Sequence, residues 1–227
     1  MEKLVDLPFD QTVHAVSYAD DIAILAADGH GEEWQSHIQQ ALVLMNSACT
    51  YWGLKISLAK SRVLQLRRGL QDVPVSVQGT VLQTTNTYRY LGMVIDKTFN
   101  FDAHIKDLET RVAKRLNIAR YISSRRCGAG PNMLRAYYVA AIRSVLEYGS
   151  IALICAAQTS LKKREGLQNH AMRTITRAPI WTNKSTLHME LNLPPLHVRR
   201  KQLLLTASDN FLRQDLHPAN LRLRYIL

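Results

Sequence analysis

The sequence predicts an α+β chain: antiparallel strands with one helix in the first part, then an all-helical second part. Two observations predict this. Short apolar runs rich in β-branched residues fill the first hundred positions, whereas after residue 102 apolar residues recur every three or four positions. The charge divides in the same place. Residues 1–103 carry 8 Lys+Arg against 11 Asp+Glu, residues 104–227 carry 21 against 7, and the whole chain has a net charge of +11. Such an asymmetry points to a site-bearing part joined to a part that grips a polyanion.

The elements follow from local pattern. Val13–Tyr18 and Ile22–Ala26 read as two strands joined by a tight turn, with Gly29 and Gly31 beyond them. From Glu32 to Gly53, Trp34, Ile38, Leu42, Met45 and Cys49 recur at helical spacing, and Gly53 is placed to end the helix. "LKISLAKSRVLQL" alternates as a strand with a break at Ala59–Ser61. "VPVSVQGTVLQT" reads as a hairpin around Gly79, and "TYRYLGMVID" as a single strand containing a glycine. Asp102 suits a cap for a helix whose apolar face is Ile105, Leu108, Val112, Leu116 and Ala119. After "GAGP", Pro131 opens a helix with Leu134, Tyr137, Tyr138, Ala141, Ile142, Val145 and Leu146 on one face. Further helices are expected from Thr159 to Arg177 and after Pro194–Pro195.

Several function classes are excluded early. Cys49, Cys127 and Cys155 are odd in number and widely spaced, which argues against a disulfide framework or a zinc site; a secreted location is not expected. His188 and His197 come closest to a ligand pair, but no Cys/His set accompanies them. The longest apolar stretch, Ala136–Ala157, contains Arg143 and Glu147, so no membrane span is expected.

The residues that stand out are Asp20 and Asp21, two adjacent carboxylates inside the apolar string "VHAVSYADDIAILAADG". Adjacent like charges repel, and burial would raise the cost. A divalent cation removes that penalty, and Mg²⁺ takes one or two protein carboxylates together with substrate phosphates. An exposed turn is the plain alternative.

The string Tyr18-Ala19-Asp20-Asp21 between apolar strands resembles motif C of reverse transcriptases. The segment Tyr51–Leu66, with Gly53, Leu54 and Lys60, resembles the motif that follows it. Tyr90, Leu91 and Gly92 in "YRYLGMVID" resemble the primer-gripping hairpin after that. Order and spacing are similar to reverse transcriptases of non-long-terminal-repeat (LINE-type, jockey-like) retrotransposons, over essentially the whole chain. The resemblance implies part of the palm over residues 1–101 and a helical thumb with its C-terminal extension over 102–227. It implies RNA-directed DNA synthesis, in which a primer 3′-hydroxyl attacks a deoxynucleotide on an RNA template with Mg²⁺. By position, Asp20 and Asp21 become metal ligands and Lys60 approaches the nucleotide phosphates. Tyr18 lies near the primer end, and Tyr90, Leu91 and Gly92 support the primer backbone.

The family's catalytic set also needs a third aspartate from an upstream motif, and neither Asp6 nor Asp10 stands in that context. The expectation is a C-terminal fragment without fingers, inactive on its own, with an exposed sheet edge and uncovered apolar surface. In the basic part, Arg111, Lys114 and Arg115, Arg125 and Arg126, and Lys162, Lys163 and Arg164 are expected to track a phosphate backbone, with a further cluster at Arg199–Lys201. Tyr121 and Trp181 offer stacking faces, whereas Tyr137 and Tyr138 fit a core. Two other readings stay open: a non-catalytic remnant that binds RNA or DNA through its basic helices, and a helical interaction module. Nucleus and cytoplasm both fit as locations, and no oligomeric state is implied.

Overall fold

Two strands and one helix organise the first part of the molecule. In the computed structural model, β1 (Val13–Tyr18) pairs antiparallel with β2 (Asp21–Ala26), and α1 (Glu33–Tyr51) lies against them. The structure describes Leu4 and residues 7–26, 33–66, 74–124 and 128–213. It forms two compact units, Met1–Thr98 and Phe99–Leu227. Gly29, Gly31, Arg125, Arg126 and Cys127 lie outside the described residues.

The pleat of the first hairpin decides which side chains reach the core. Ile22 and Ile24 of β2 pack on a buried nucleus of Leu4, Met45 and Cys49, joined by Phe9 and Ile56. Residues of the opposite pleat, His14, Val16, Tyr18, Asp21 and Leu25, are exposed. Helix α1 ends as its sequence requires: the chain turns at Gly53 with φ +67°, and the Leu54 amide returns to the Cys49 carbonyl at 2.7 Å.

Beyond α1 the strands are very short. β3 (Val63–Leu64) pairs in parallel with β6 (Thr84–Thr85), and β4 (Ser76–Val77) pairs antiparallel with β5 (Thr80–Val81). The alternating segment around Lys60 is therefore mostly not strand. The Lys60 and Ser61 amides both donate to the Ser57 carbonyl, closing a turn that the alternation does not reveal. Gln39 on α1 serves as an edge partner for β4. Its amide nitrogen donates to the Ser76 carbonyl at 2.8 Å and its oxygen accepts the Ser76 N–H at 3.0 Å.

The segment read as one strand at 87–96 is a hairpin. β7 (Thr87–Tyr90) and β8 (Met93–Asp96) pair antiparallel across Leu91 and Gly92, with φ +45° and +79°. Two positive φ values in a two-residue loop define a type I′ turn, whose twist matches that of the strands. Gly92 suits this conformation.

The second unit is helical: α2 (Asp102–Ile122), α3 (Pro131–Tyr137), α4 (Ser144–Glu147), α5 (Gln158–Thr176), α6 (Lys184–Glu190) and α7 (Leu196–Arg213). A π segment, Tyr138–Arg143, joins α3 to α4. Its wider turn places Leu134, Tyr138, Ile142 and Leu146, four residues apart, in one buried stripe. Val112 and Leu116 of α2, Met172 and Ile175 of α5, and Leu187 of α6 complete that core. Each fully buried aliphatic side chain contributes about 1.5–3 kcal/mol.

Asp102 does not cap α2. The cap position is Phe101, in left-handed backbone at φ +59°, and Asp102 is the first helical residue. Its carboxylate instead accepts from Ser160 Oγ at 2.7 Å and pairs with Lys163 at 3.3 Å, tying α2 to the first turns of α5. Among the described residues Cys49 and Cys155 are free thiols, and no helix is long and apolar enough to cross a membrane. The mixed α and β composition matches the predicted class.

Candidate active site

The tightness of the first hairpin places the aspartates. Tyr18 pairs directly with Asp21, which leaves a two-residue loop of Ala19 and Asp20. Ala19 has φ +51° while Asp20 does not have positive φ, the φ signature of a type II′ turn. Glycine normally occupies that first position, so the alanine holds local strain. Directly paired residues share a face, so the Tyr18 and Asp21 side chains stand on the exposed pleat beside Val16 and Leu25. On that pleat Val16 and Leu25 are each 49% exposed.

Both aspartates are exposed, and among the described residues neither carboxylate is engaged by a hydrogen bond or an ion pair. Two free hard-oxygen donors on adjacent residues suit Mg²⁺, which uses one or two carboxylates from a protein and fills its remaining positions with water or phosphate. No group of three His, Cys, Asp or Glu side chains able to hold a metal occurs among the described residues. The donor set therefore fits an open site completed from elsewhere, not a closed cage.

The β7–β8 hairpin approaches this turn through its tyrosines. Tyr88 and Tyr90 alternate onto one face of β7. The Tyr88 hydroxyl donates to the Lys60 carbonyl at 2.9 Å, so the turn bearing Lys60 is fastened to the hairpin. The Lys60 side chain itself is exposed. Tyr90 is half-buried, and among the described residues its hydroxyl has no hydrogen-bond partner. Burial, with the Asp21 carboxylate as a further cause, pushes the Tyr90 phenol above its ordinary pKa. Residues from three separate motifs, Asp21, Lys60 and Tyr90, are thus linked within one unit. Tyr88 was not singled out from sequence. The signal for it was the "TYRY" alternation, which puts Tyr88 wherever Tyr90 faces.

The basic residues of the second unit divide. On α2, Lys114 is exposed, Arg111 pairs with Asp107 at 3.0 Å, and half-buried Arg115 donates back to the Arg111 carbonyl at 3.2 Å. On α5, Lys162 and Lys163 are exposed, and Lys163 is partnered by Asp102. Arg164 stands apart from its two neighbours. It is only 2% exposed, donates to Ser150 Oγ at 2.9 Å, and does not share the outward face of Lys162 and Lys163. Helical geometry explains this, because Ser160, Arg164, Gln168 and Met172 form one buried stripe at intervals of four. Tyr138 is fully buried and Tyr137 donates to the Arg115 carbonyl, so both belong to the core, whereas Tyr121 and Trp181 are 68% and 83% exposed.

Comparison with known proteins adds a lineage to this geometry. The chain is 30% identical over 231 residues to a probable RNA-directed DNA polymerase from transposon BS of Drosophila melanogaster, covering 94% of this chain and 26% of that protein. It is 26% identical over 222 residues to the RNA-directed DNA polymerase from mobile element jockey of Drosophila funebris, covering 92% and 22%. A probable RNA-directed DNA polymerase from transposon X-element of Drosophila melanogaster is 22% identical over 179 residues, covering 78% and 20%. No family model and no solved structure matches. Over most of its length the chain is similar to RNA-directed DNA polymerases of jockey-like mobile elements, and it spans about a quarter or less of the length of these relatives.

Proposed function

We propose that the chain is the C-terminal part of a reverse transcriptase, carrying one end of the palm and the thumb. The observation that carries this reading is the pair of unengaged carboxylates, Asp20 and Asp21, on a two-residue hairpin turn in a chain similar to these polymerases. Residues 1–101 form the palm portion and 102–227 the thumb with its extension.

Asp20 and Asp21 would hold Mg²⁺, which when bound supplies activation of the primer 3′-hydroxyl and stabilisation of the departing pyrophosphate. Tyr18, on the same face as Asp21, offers an exposed ring near the nucleotide and primer end. Lys60 offers an ammonium to the nucleotide phosphates, on a turn held by the Tyr88 hydroxyl. Tyr90, Leu91 and Gly92 form the tip of the hairpin that supports the primer backbone. Lys114 and Lys162, exposed on α2 and α5, contact the phosphates of the RNA template and DNA primer, with Arg111, Arg115 and Lys163 near them. Arg125 and Arg126 are proposed for the same role from sequence alone.

With only two of three carboxylates the chain alone does not extend a primer, because residues that act as a unit fail together. The test is primer extension on an RNA template with Mg²⁺ and deoxynucleotides, run beside the Asp20→Ala/Asp21→Ala form, with template binding measured across a salt series. The reading expects no extension, and binding that weakens steeply with salt but survives the double substitution. Extension that depends on Asp20 and Asp21 would mean that the chain supplies a third carboxylate, and the reading of an incomplete catalytic set would fail. The exposed lysines on two helices favour a second reading, retention purely as a nucleic-acid binder, which shares the binding result and lacks Mg²⁺ affinity at the turn.

A further inference from the structure

A cavity of about 200 Å³ opens between α5 and α7 of the helical unit. Lys162, Arg164, Arg200, Glu165 and His197 line it. Its charges are unbalanced. Both Glu165 oxygens are already engaged at the start of α7: Oε2 accepts the Leu196 N–H at 3.2 Å, and Oε1 accepts the His197 N–H at 2.6 Å and lies 3.0 Å from His197 Nδ1. Glu165 thus acts as an anionic cap on a neighbouring helix. Glu147 is taken by Arg143 at 2.5 Å and by Arg199 at 3.2 Å.

Three cations on the cavity wall, Lys162, Arg164 and Arg200, have no carboxylate at ion-pair distance among the described residues. Arg164 is the telling one. Its side chain is 2% exposed, Ser150 Oγ accepts from one terminal nitrogen at 2.9 Å, and its Nε–H is buried without an acceptor. A buried guanidinium with unused donors is costly unless an anion completes it. Desolvation first, and then the neighbouring Arg200 charge, lower its pKa to about 10, against the opposing charges of Glu165 and Glu147.

From this geometry we infer that the cavity is a seat for a phosphate group, held by the Arg164 and Arg200 guanidinium groups with Lys162 at its rim. A tetrahedral oxyanion matches the fork of donors on each arginine, and the cavity has room for one phosphoryl group. The group belongs either to a nucleic-acid backbone or to free phosphate. This seat does not depend on the polymerase reading, since it uses neither Asp20 nor Asp21.

The experiment is calorimetric titration of the full 227-residue chain with inorganic phosphate, against sodium chloride at matched ionic strength. Arg200→Gln and Lys162→Gln test the seat, and Lys184→Gln, an exposed lysine at the start of α6 with no role assigned to it, serves as the control. Saturable binding of phosphate is expected, weakened about tenfold by Arg200→Gln, the scale of one lost charge-assisted hydrogen bond, and less by Lys162→Gln. Lys184→Gln should bind as the parent does. Heat no larger than that from chloride would overturn the proposal, and so would equal weakening by Lys184→Gln. A second arm adds phosphate to the chain bound to a short RNA–DNA duplex. Displacement beyond that caused by chloride identifies a backbone phosphate as the occupant, and undisturbed duplex with phosphate still bound identifies free phosphate.

Discussion

The carboxylate of Asp21, beside the turn of one hairpin, acts on the phenol of Tyr90, beside the turn of another. Burial is the larger cause of the raised Tyr90 pKa, and the Asp21 charge adds to it by opposing a phenolate. Asp21→Asn removes the second cause and leaves the first. The Tyr90 pKa should then fall toward, but not reach, its ordinary value. Nuclear magnetic resonance titration of ring-labelled tyrosine, assigned with Tyr90→Phe, reads this directly. An unchanged Tyr90 titration in Asp21→Asn would separate the two hairpins and remove the link between the aspartate turn and the primer-supporting hairpin.

Ala19 offers a test of the turn itself. A β-branched residue at φ +51° is a steric outlier where alanine is merely strained. Ala19→Val should destabilise the first unit by about 1–3 kcal/mol, the range for backbone held in sparsely populated regions. Urea denaturation followed by a probe in that unit, such as Trp34 or Trp52 fluorescence, measures it. A valine variant as stable as the parent would show that the loop is not held in this conformation.

Where the sequence was legible, one period governed a long segment. The stripe from Ile105 to Ala119 on α2 is buried at every predicted position, because a helix of that length has one face to hide. The hairpin read around Gly79 is present as β4 and β5, turning at Gln78 and Gly79 with φ +52° and +74°, whereas the two-residue β3 and β6 have no period to read and pair across a separation remote in sequence. The strand at 87–96 concealed a turn because leucine, not asparagine or aspartate, precedes Gly92. Helix α6, one short helix between Asn183 and Leu191, offers too few turns for a pattern, although Asn183 does cap it by accepting the Ser185 N–H at 3.1 Å. The burial of Arg164 was hidden for a different reason. A run of three cations reads as solvated, yet its spacing from Ser160, Gln168 and Met172 set it inward. The aspartate pair was legible through local pattern, but its link to Tyr90 was not, since 69 positions separate Asp21 from Tyr90.

The stripe created by the π segment makes a paired prediction. Leu146 is fully buried in the helical core, and Val139, on the same continuous stretch, is 39% exposed. Leu146→Ala should cost about 2–5 kcal/mol through lost burial and the cavity left behind. Val139→Ala should change stability by no more than about 0.5 kcal/mol. Chemical denaturation followed by far-ultraviolet circular dichroism compares them. Similar losses in both variants would mean that the register of the π segment is wrong, because an ordinary α-helix rotates these positions differently relative to the core.

The junction of α2 and α5 supplies the pH-dependent prediction. Asp102 accepts from the buried Ser160 hydroxyl and faces Lys163, and these contacts, the Ser160 hydrogen bond first, lower its pKa below the usual carboxylate value. A carboxyl whose pKa is lower folded than unfolded stabilises the fold above its unfolded pKa, and that contribution disappears as pH falls through the folded pKa. Thermal midpoints of the parent and Asp102→Asn should therefore differ at neutral pH, with the parent higher. The gap should be constant down to the ordinary carboxylate range and close as acid titrates Asp102 below it. Ser160→Ala should narrow the gap, because it removes the largest cause of the shift. A difference between parent and Asp102→Asn that persists unchanged into strong acid would show that the aspartate acts through shape and hydrogen bonding alone, and that its charge does not tie α2 to α5.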